Sequence, residues 1–119
     1  MKIRIKGNSL RYRLTKSDIT RLGADGSLEE RTEFAGKTLV YAIERAIKGA
    51  TNLSADFTGD KIVLYMPKDM VDELVNTERV GFEGSSGLVS LRIEKDFVCI
   101  DRVEEDQSDN YPNPSSSRA

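Results

Sequence analysis

The chain has 119 residues, 38% hydrophobic and 32% charged, which suits one globular domain with a single core, and no apolar run approaches the roughly 18 residues of a membrane-spanning helix. It has no histidine and one cysteine, Cys99, so Ser-His-Asp and Cys-His catalysis, imidazole or multi-thiolate zinc sites and an intrachain disulfide are all excluded. The net charge of −2 hides a split, because residues 103–119 hold Glu104, Glu105, Asp106 and Asp109 against Arg118, which leaves residues 1–102 near neutral at +1.

Residues 2–14 alternate as strands do, with Ile3 and Ile5 between Lys2, Arg4 and Lys6, and Leu10, Tyr12 and Leu14 between Arg11 and Arg13. The apolar set is odd-numbered before Gly7 and even-numbered after it, which one unbroken strand cannot place on a single face. A bulge at Gly7-Asn8-Ser9 is the preferred expectation, and a three-residue hairpin turn is the alternative. Thr15 then opens a short helix as N-cap, with Asp18 in a T-x-x-D arrangement, Leu14 and Ile19 as a hydrophobic staple, and Gly23 as its close. Asp25-Gly26 signals a turn, after which Leu28, Thr32 and Phe34 alternate with charges over 27–34. Residues 37–47 fit strand or helix, and the preceding alternation favours strand through Glu44. Residues 53–57 and 62–65 flank Thr58-Gly59-Asp60-Lys61 as a hairpin. Pro67 suits the first position of a second helix over 67–76, with Met70, Val71, Leu74 and Val75 inward. Val80 and Phe82 lead into a Gly84-Ser85-Ser86-Gly87 loop, and 88–102 read as the last strand region. No internal repeat is visible. A single domain over 1–102 followed by a mobile acidic, then Pro/Ser-rich tail over 103–119 is the expected organisation.

Three constellations bear on function. The ladder Lys2, Arg4, Lys6, Arg11 and Arg13 gathers cations on one strand face, where alternate residues stand roughly 6.5–7 Å apart and reinforce one another's potential. Such a face binds phosphate or carboxylate; the plainer alternative is a solvated face paired to acids such as Glu29, Glu30 and Glu33. Nucleic acid is disfavoured by the pI of about 5.2. The acids Asp101, Glu104, Glu105, Asp106 and Asp109 lack the register of a calcium loop and read as a solvated tail. The stretch from Gly81 to Gly87 lacks the Gly-Lys-Ser/Thr ending of a phosphate loop. Cys99, within Phe97-Val98-Cys99-Ile100, reads as a buried thiol, and Met66 and Met70 read as core filling.

The opening MKIRIKGNSLRYRLTKSD, the segment MPKDMVDELVNTERVGFE and the closing EKDFVCIDRVEEDQSDNYPNP resemble an uncharacterised family of short bacterial proteins. The resemblance implies a shared fold and a bacterial cytoplasmic setting and supplies no catalytic residue; it also implies that Asp106, Asp109, Tyr111, Pro112, Asn113 and Pro114 are native. A likeness to triphosphate tunnel enzymes fails, because Lys2-Ile3-Arg4-Ile5-Lys6 lacks the acids of their Glu-x-Glu-x-Lys signature. The expected fold is α+β, a strongly curled antiparallel sheet of about five to seven strands tending to a partial barrel, with two short helices. The expected function is a non-catalytic, cytoplasmic binding module for a small anionic or amphipathic ligand, taken by Lys2, Arg4, Lys6, Arg11 and Arg13. The alternative is a protein-interaction or regulatory adaptor that uses an edge strand or the acidic tail. No cofactor, metal or membrane association is expected.

Overall fold

The computed structural model describes residues 1–46 and 50–97. Within them eight strands and two helices follow in the order β1 (Lys2–Lys6), β2 (Ser9–Leu14), α1 (Lys16–Asp25), β3 (Ser27–Glu33), β4 (Thr38–Arg45), β5 (Ser54–Thr58), β6 (Lys61–Met66), α2 (Lys68–Asn76), β7 (Gly81–Ser86) and β8 (Val89–Lys95). The fold is α+β, but the strands divide into two four-stranded sheets, ordered β1-β2-β8-β7 and β3-β4-β6-β5. Each sheet joins two antiparallel hairpins through one central parallel contact, β2 with β8 or β4 with β6. The curled sheet and partial barrel expected from the sequence are therefore corrected. Among the described residues both sheets keep two unpaired edges and neither sheet closes.

The parity change at Gly7 is resolved by a hairpin rather than the preferred bulge, with a two-residue turn, one residue shorter than the alternative expected. Lys6 pairs with Ser9 across Gly7-Asn8, so Ile5 lies opposite Leu10 and Ile3 opposite Tyr12. An odd-numbered residue facing an even-numbered one across an antiparallel pair shares its face, and that restores one apolar side. Gly7 turns the chain at φ +54, where a Cβ is unfavourable.

The first helix forms where its cap was expected. The Thr15 hydroxyl accepts from the Asp18 backbone N–H at 3.2 Å, and the Asp18 carboxylate accepts from the Thr15 N–H at 2.9 Å, a complete capping box. It runs past Gly23 and stops at Gly26, which takes φ +77 and donates its N–H to the Leu22 carbonyl. Gly23 serves instead as a close-approach point, since a Cβ there would lie 2.8 Å from a methyl of Val75 on α2. The second helix starts after Pro67, not on it, and buries Val71 and Leu74 while Met70 packs at the margin and Val75 stays exposed. The Gly84-Ser85-Ser86 stretch, expected as loop, is strand β7, paired to Leu91, Ser90 and Val89; only Gly87-Leu88 turn.

The inner faces of both sheets and the helices share one core of Tyr12, Leu14, Ile19, Leu22, Leu28, Ile43, Leu53, Leu64, Met66, Val71, Leu74, Leu91 and Ile93. Met66 is buried as expected.

A repeat that the residues conceal is plain in the topology. The chain runs β1-β2-α1-β3-β4 and then β5-β6-α2-β7-β8, and exchanging the two halves maps one sheet onto the other. The inner row Ile3, Tyr12, Ile93 and Phe82 of the first sheet corresponds to Ala55, Leu64, Ile43 and Leu28 of the second. Gly7 at φ +54 answers to Gly59 at φ +55, and Ile19 and Leu22 answer to Val71 and Leu74. Each sheet takes one hairpin from each half, so neither half completes a sheet by itself.

Candidate anion-binding face

Because Ile3, Tyr12, Leu91 and Ile93 point into the core, their strand neighbours point outward from the first sheet. The pairing register then fixes three outward rows. Lys2, Arg13, Glu94 and Gly81 form the first; Arg4, Arg11, Arg92 and Glu83 the second; Lys6, Ser9, Ser90 and Ser85 the third. The five cations Lys2, Arg4, Lys6, Arg11 and Arg13 thus lie on one side, and β8 adds Arg92. Three arginines stand side by side on adjacent strands.

The counter-charges are unevenly placed. Glu94 receives Arg13 Nε at 3.1 Å and Arg11 Nε at 3.3 Å on the same oxygen, and its side chain is largely enclosed. Lys2 Nζ lies 3.3 Å from Asp96. Arg92 pairs with Glu83 at the open rim. Arg4 and Lys6 have no carboxylate within ion-pair distance among the described residues. Glu29, Glu30 and Glu33 do not neutralise the ladder, because β3 pairs with β4 in the other sheet. The first row is therefore largely satisfied, and among the described residues the cations without a carboxylate partner are Arg4 and Lys6, beside Arg11, which shares Glu94 with Arg13. A concavity of about 480 Å³ lies there, lined by Arg4, Lys6, Ser9, Arg11, Glu83, Gly84, Ser90, Leu91 and Arg92.

The outward face of the second sheet makes an internal comparison. The row equivalent to Arg4, Arg11, Arg92 and Glu83 reads Asp56, Val63, Ala42 and Glu29, with Val63 and Ala42 buried at its centre. Its charges balance locally, with Glu29 3.0 Å from Arg31 and 3.4 Å from Lys61, and Lys61 3.7 Å from Glu44. Hydrogen bonds from Arg31 and then from Lys61 hold the Glu29 carboxyl below the usual carboxylate range.

A larger concavity, about 770 Å³, lies at the helices and includes Leu14, Ile19, Leu74, Val75 and Phe97. It shares no lining residue with the basic one, so the amphipathic part of the expected ligand has no support at the ladder. Among the described residues no cluster of three or more acids or cysteines suits a metal ion, and no helix is long and apolar enough to cross a membrane. Cys99 and the acids Asp101, Glu104, Glu105, Asp106 and Asp109 lie outside the described residues, as does the tail 103–119.

Sequence reasoning missed Arg92, Ser9 and Ser90. Leu91 and Ile93 facing inward make Arg92 face outward, and that alternation is legible in β8. What joins it to Arg11 is a parallel pairing between residues 81 positions apart, for which no local signal exists.

The molecule is therefore an α+β domain of two interlocked four-stranded sheets with one strongly basic outward face. The chain belongs to a family of unknown function, DUF7009, which it matches over residues 1–115. No curated protein and no solved structure matches it.

Proposed function

We infer that this protein is a non-catalytic binding module that holds a small anion on the outward face of its first sheet. One comparison carries the reading. The same architecture builds the equivalent row of the second sheet from Asp56, Val63, Ala42 and Glu29, so the fold has no need of three adjacent arginines. Like charges placed directly opposite each other on neighbouring strands destabilise a sheet. A bound anion turns that repulsion into attraction, which gives the row a purpose that packing does not. The polar groups that line the wall among the described residues are guanidinium, ammonium and hydroxyl groups with one carboxylate at the rim, a set for holding charge rather than moving protons near neutral pH. A bacterial cytoplasmic setting belongs to the same reading, supported by the lone cysteine and the family resemblance.

The test replaces Arg4 by glutamate, the charge that Asp56 supplies at the equivalent position. Arg4→Glu faces Arg11 as an opposite-charge pair and is expected to raise the unliganded stability by about 0.2–1 kcal/mol while weakening binding of multivalent anions. Denaturant midpoints and thermal shifts against an anion panel measure the two effects. A variant that loses stability, or keeps every anion-dependent shift of the wild type, refutes the reading.

A further inference from the structure

Resting on the anion-binding reading above, we propose that the ligand carries two linked phosphoryl groups, one held by Arg4, Lys6 and Arg11 and the other by Arg11 and Arg92, with Ser9 and Ser90 donating hydroxyl hydrogen bonds.

The register sets the spacing. Arg4, Arg11 and Arg92 occupy consecutive strands, and strands lie about 4.8 Å apart, so the two outer arginine backbones stand about 10 Å apart. Side chains of this length converge from that span on two anionic centres a few ångströms apart, whereas a single small anion leaves one end of the row unused. Arg11 sits in the middle, and its shortest approach to Glu94 is through Nε at 3.3 Å; a guanidinium has four further N–H donors on its terminal nitrogens for an anion on the row.

Oxygen geometry favours phosphoryl over carboxylate. A carboxylate is planar and is satisfied by one guanidinium fork, while a phosphoryl group presents several oxygens to donors arriving from different directions. Donors here come from two directions: arginines along one row, and Lys6, Ser9 and Ser90 from the adjoining row. Glu83, the one carboxylate in the wall among the described residues, is two-thirds exposed at the rim. An ion pair so exposed contributes little, so an incoming dianion can take Arg92 from it. Glu94 is enclosed and shared by two arginines, which keeps Arg13 out of the site.

The lining also limits the rest of the ligand. Among the described residues no aromatic ring lines the wall to stack on a base, and recognition falls on the phosphoryl end. The concavity of about 480 Å³ lies within the roughly 300–1,000 Å³ of small-molecule sites and accepts a diphosphate with a modest organic remainder toward solvent.

Isothermal titration of the full chain with inorganic pyrophosphate, orthophosphate and citrate tests the proposal at fixed salt. Pyrophosphate is expected to bind about tenfold tighter than orthophosphate, as one additional charge-assisted contact set provides, and tighter than citrate. Arg92→Gln is expected to bring the pyrophosphate advantage down to about twofold while leaving orthophosphate affinity nearly unchanged. Circular dichroism before titration confirms that the variant is folded. Equal affinity for pyrophosphate and orthophosphate, or a preference for citrate, overturns the diphosphate class and leaves the anion-binding face standing. No binding of any of the three overturns both.

Discussion

Replacing Tyr12 by phenylalanine is expected to make this protein more stable. Tyr12 is fully buried on β2, with Ile3 on one side and Ile93 on the other, and its hydroxyl has no hydrogen-bond partner among the described residues. A buried hydroxyl left unpaired costs about 1–3 kcal/mol relative to its hydrated state. Phenylalanine keeps the ring and its packing and removes only that oxygen, so a gain of about 1 kcal/mol is expected after the loss of the oxygen's dispersion contacts. For a domain near 100 residues this corresponds to about 4–8 °C in Tm. Urea unfolding followed by circular dichroism measures it, with an unchanged m-value as the check that the unfolded states compare. Alkaline pH gives a second readout. Burial, and then the neighbouring Tyr41, push the Tyr12 phenol well above its ordinary value. The folded chain therefore holds that proton where the unfolded chain has released it, so Tyr12 makes stability fall as pH rises above about 10. Tyr12→Phe is expected to flatten that fall, leaving the part due to Tyr41, which burial and then the Glu30 carboxylate also push up. A variant destabilised by about 1 kcal/mol or more refutes the orphaned hydroxyl and means that the oxygen has a strong partner.

Ile43 and Ile93 occupy equivalent core positions, so Ile43→Ala and Ile93→Ala are each expected to cost about 2–5 kcal/mol and to agree within about 1 kcal/mol in urea unfolding; a difference beyond that contradicts the equivalence of the halves. Burial raises the Asp18 carboxyl, but hydrogen bonds from the Met1 ammonium and from Thr15 outweigh it and hold the group below its ordinary value. Its contribution is present above about pH 4 and is lost as pH falls through the lower folded value, so Asp18→Asn is expected to reduce the acid-side loss of stability in a pH series of unfolding midpoints. Gly81 carries no positive φ, yet an added Cβ would collide with the Ile93 carbonyl on β8. Gly81→Ala is expected to cost at least about 1 kcal/mol, and a neutral result in thermal unfolding contradicts the close approach of β7 to β8.

How much of this was legible in the residues depends on the range of each interaction. The helix cap at Thr15 and Asp18 and the Gly59 turn announce themselves within a few residues, because caps and turns are local, while strand β4 fits helix as well and follows only from the alternation before it. At Gly7 the parity shift is compatible with a bulge as well as a hairpin, so the residues alone do not separate the two. Gly84-Ser85-Ser86 looked like loop because its residues have poor strand propensity; pairing with β8 overrides that. The division into two sheets and the parallel contacts depend on which distant hairpins meet, and no periodicity encodes it. The internal repeat escaped for a related reason. The halves share burial pattern rather than identity, as Tyr12 against Leu64 illustrates, and their spacing drifts from 52 residues at β2 and β6 to 50 at β4 and β8. Of the ladder, the common side could be read directly. The addition of Arg92 and the neutralisation of Lys2 and Arg13 by Asp96 and Glu94 could not.

The interlocked hairpins also set an order of events during synthesis. The second sheet is drawn from one continuous stretch, Ser27–Met66, and can pair as soon as β6 has left the ribosome. The first sheet waits with β1 and β2 in hand until β8, near the end of the described chain, has emerged. A nascent chain cut short before Arg92 holds Arg4 and Arg11 on a lone hairpin, and two-stranded ribbons are marginal in water. Among the described residues the basic concavity is thus completed only when β8 joins β2, and the anion capture proposed above would begin only at that point.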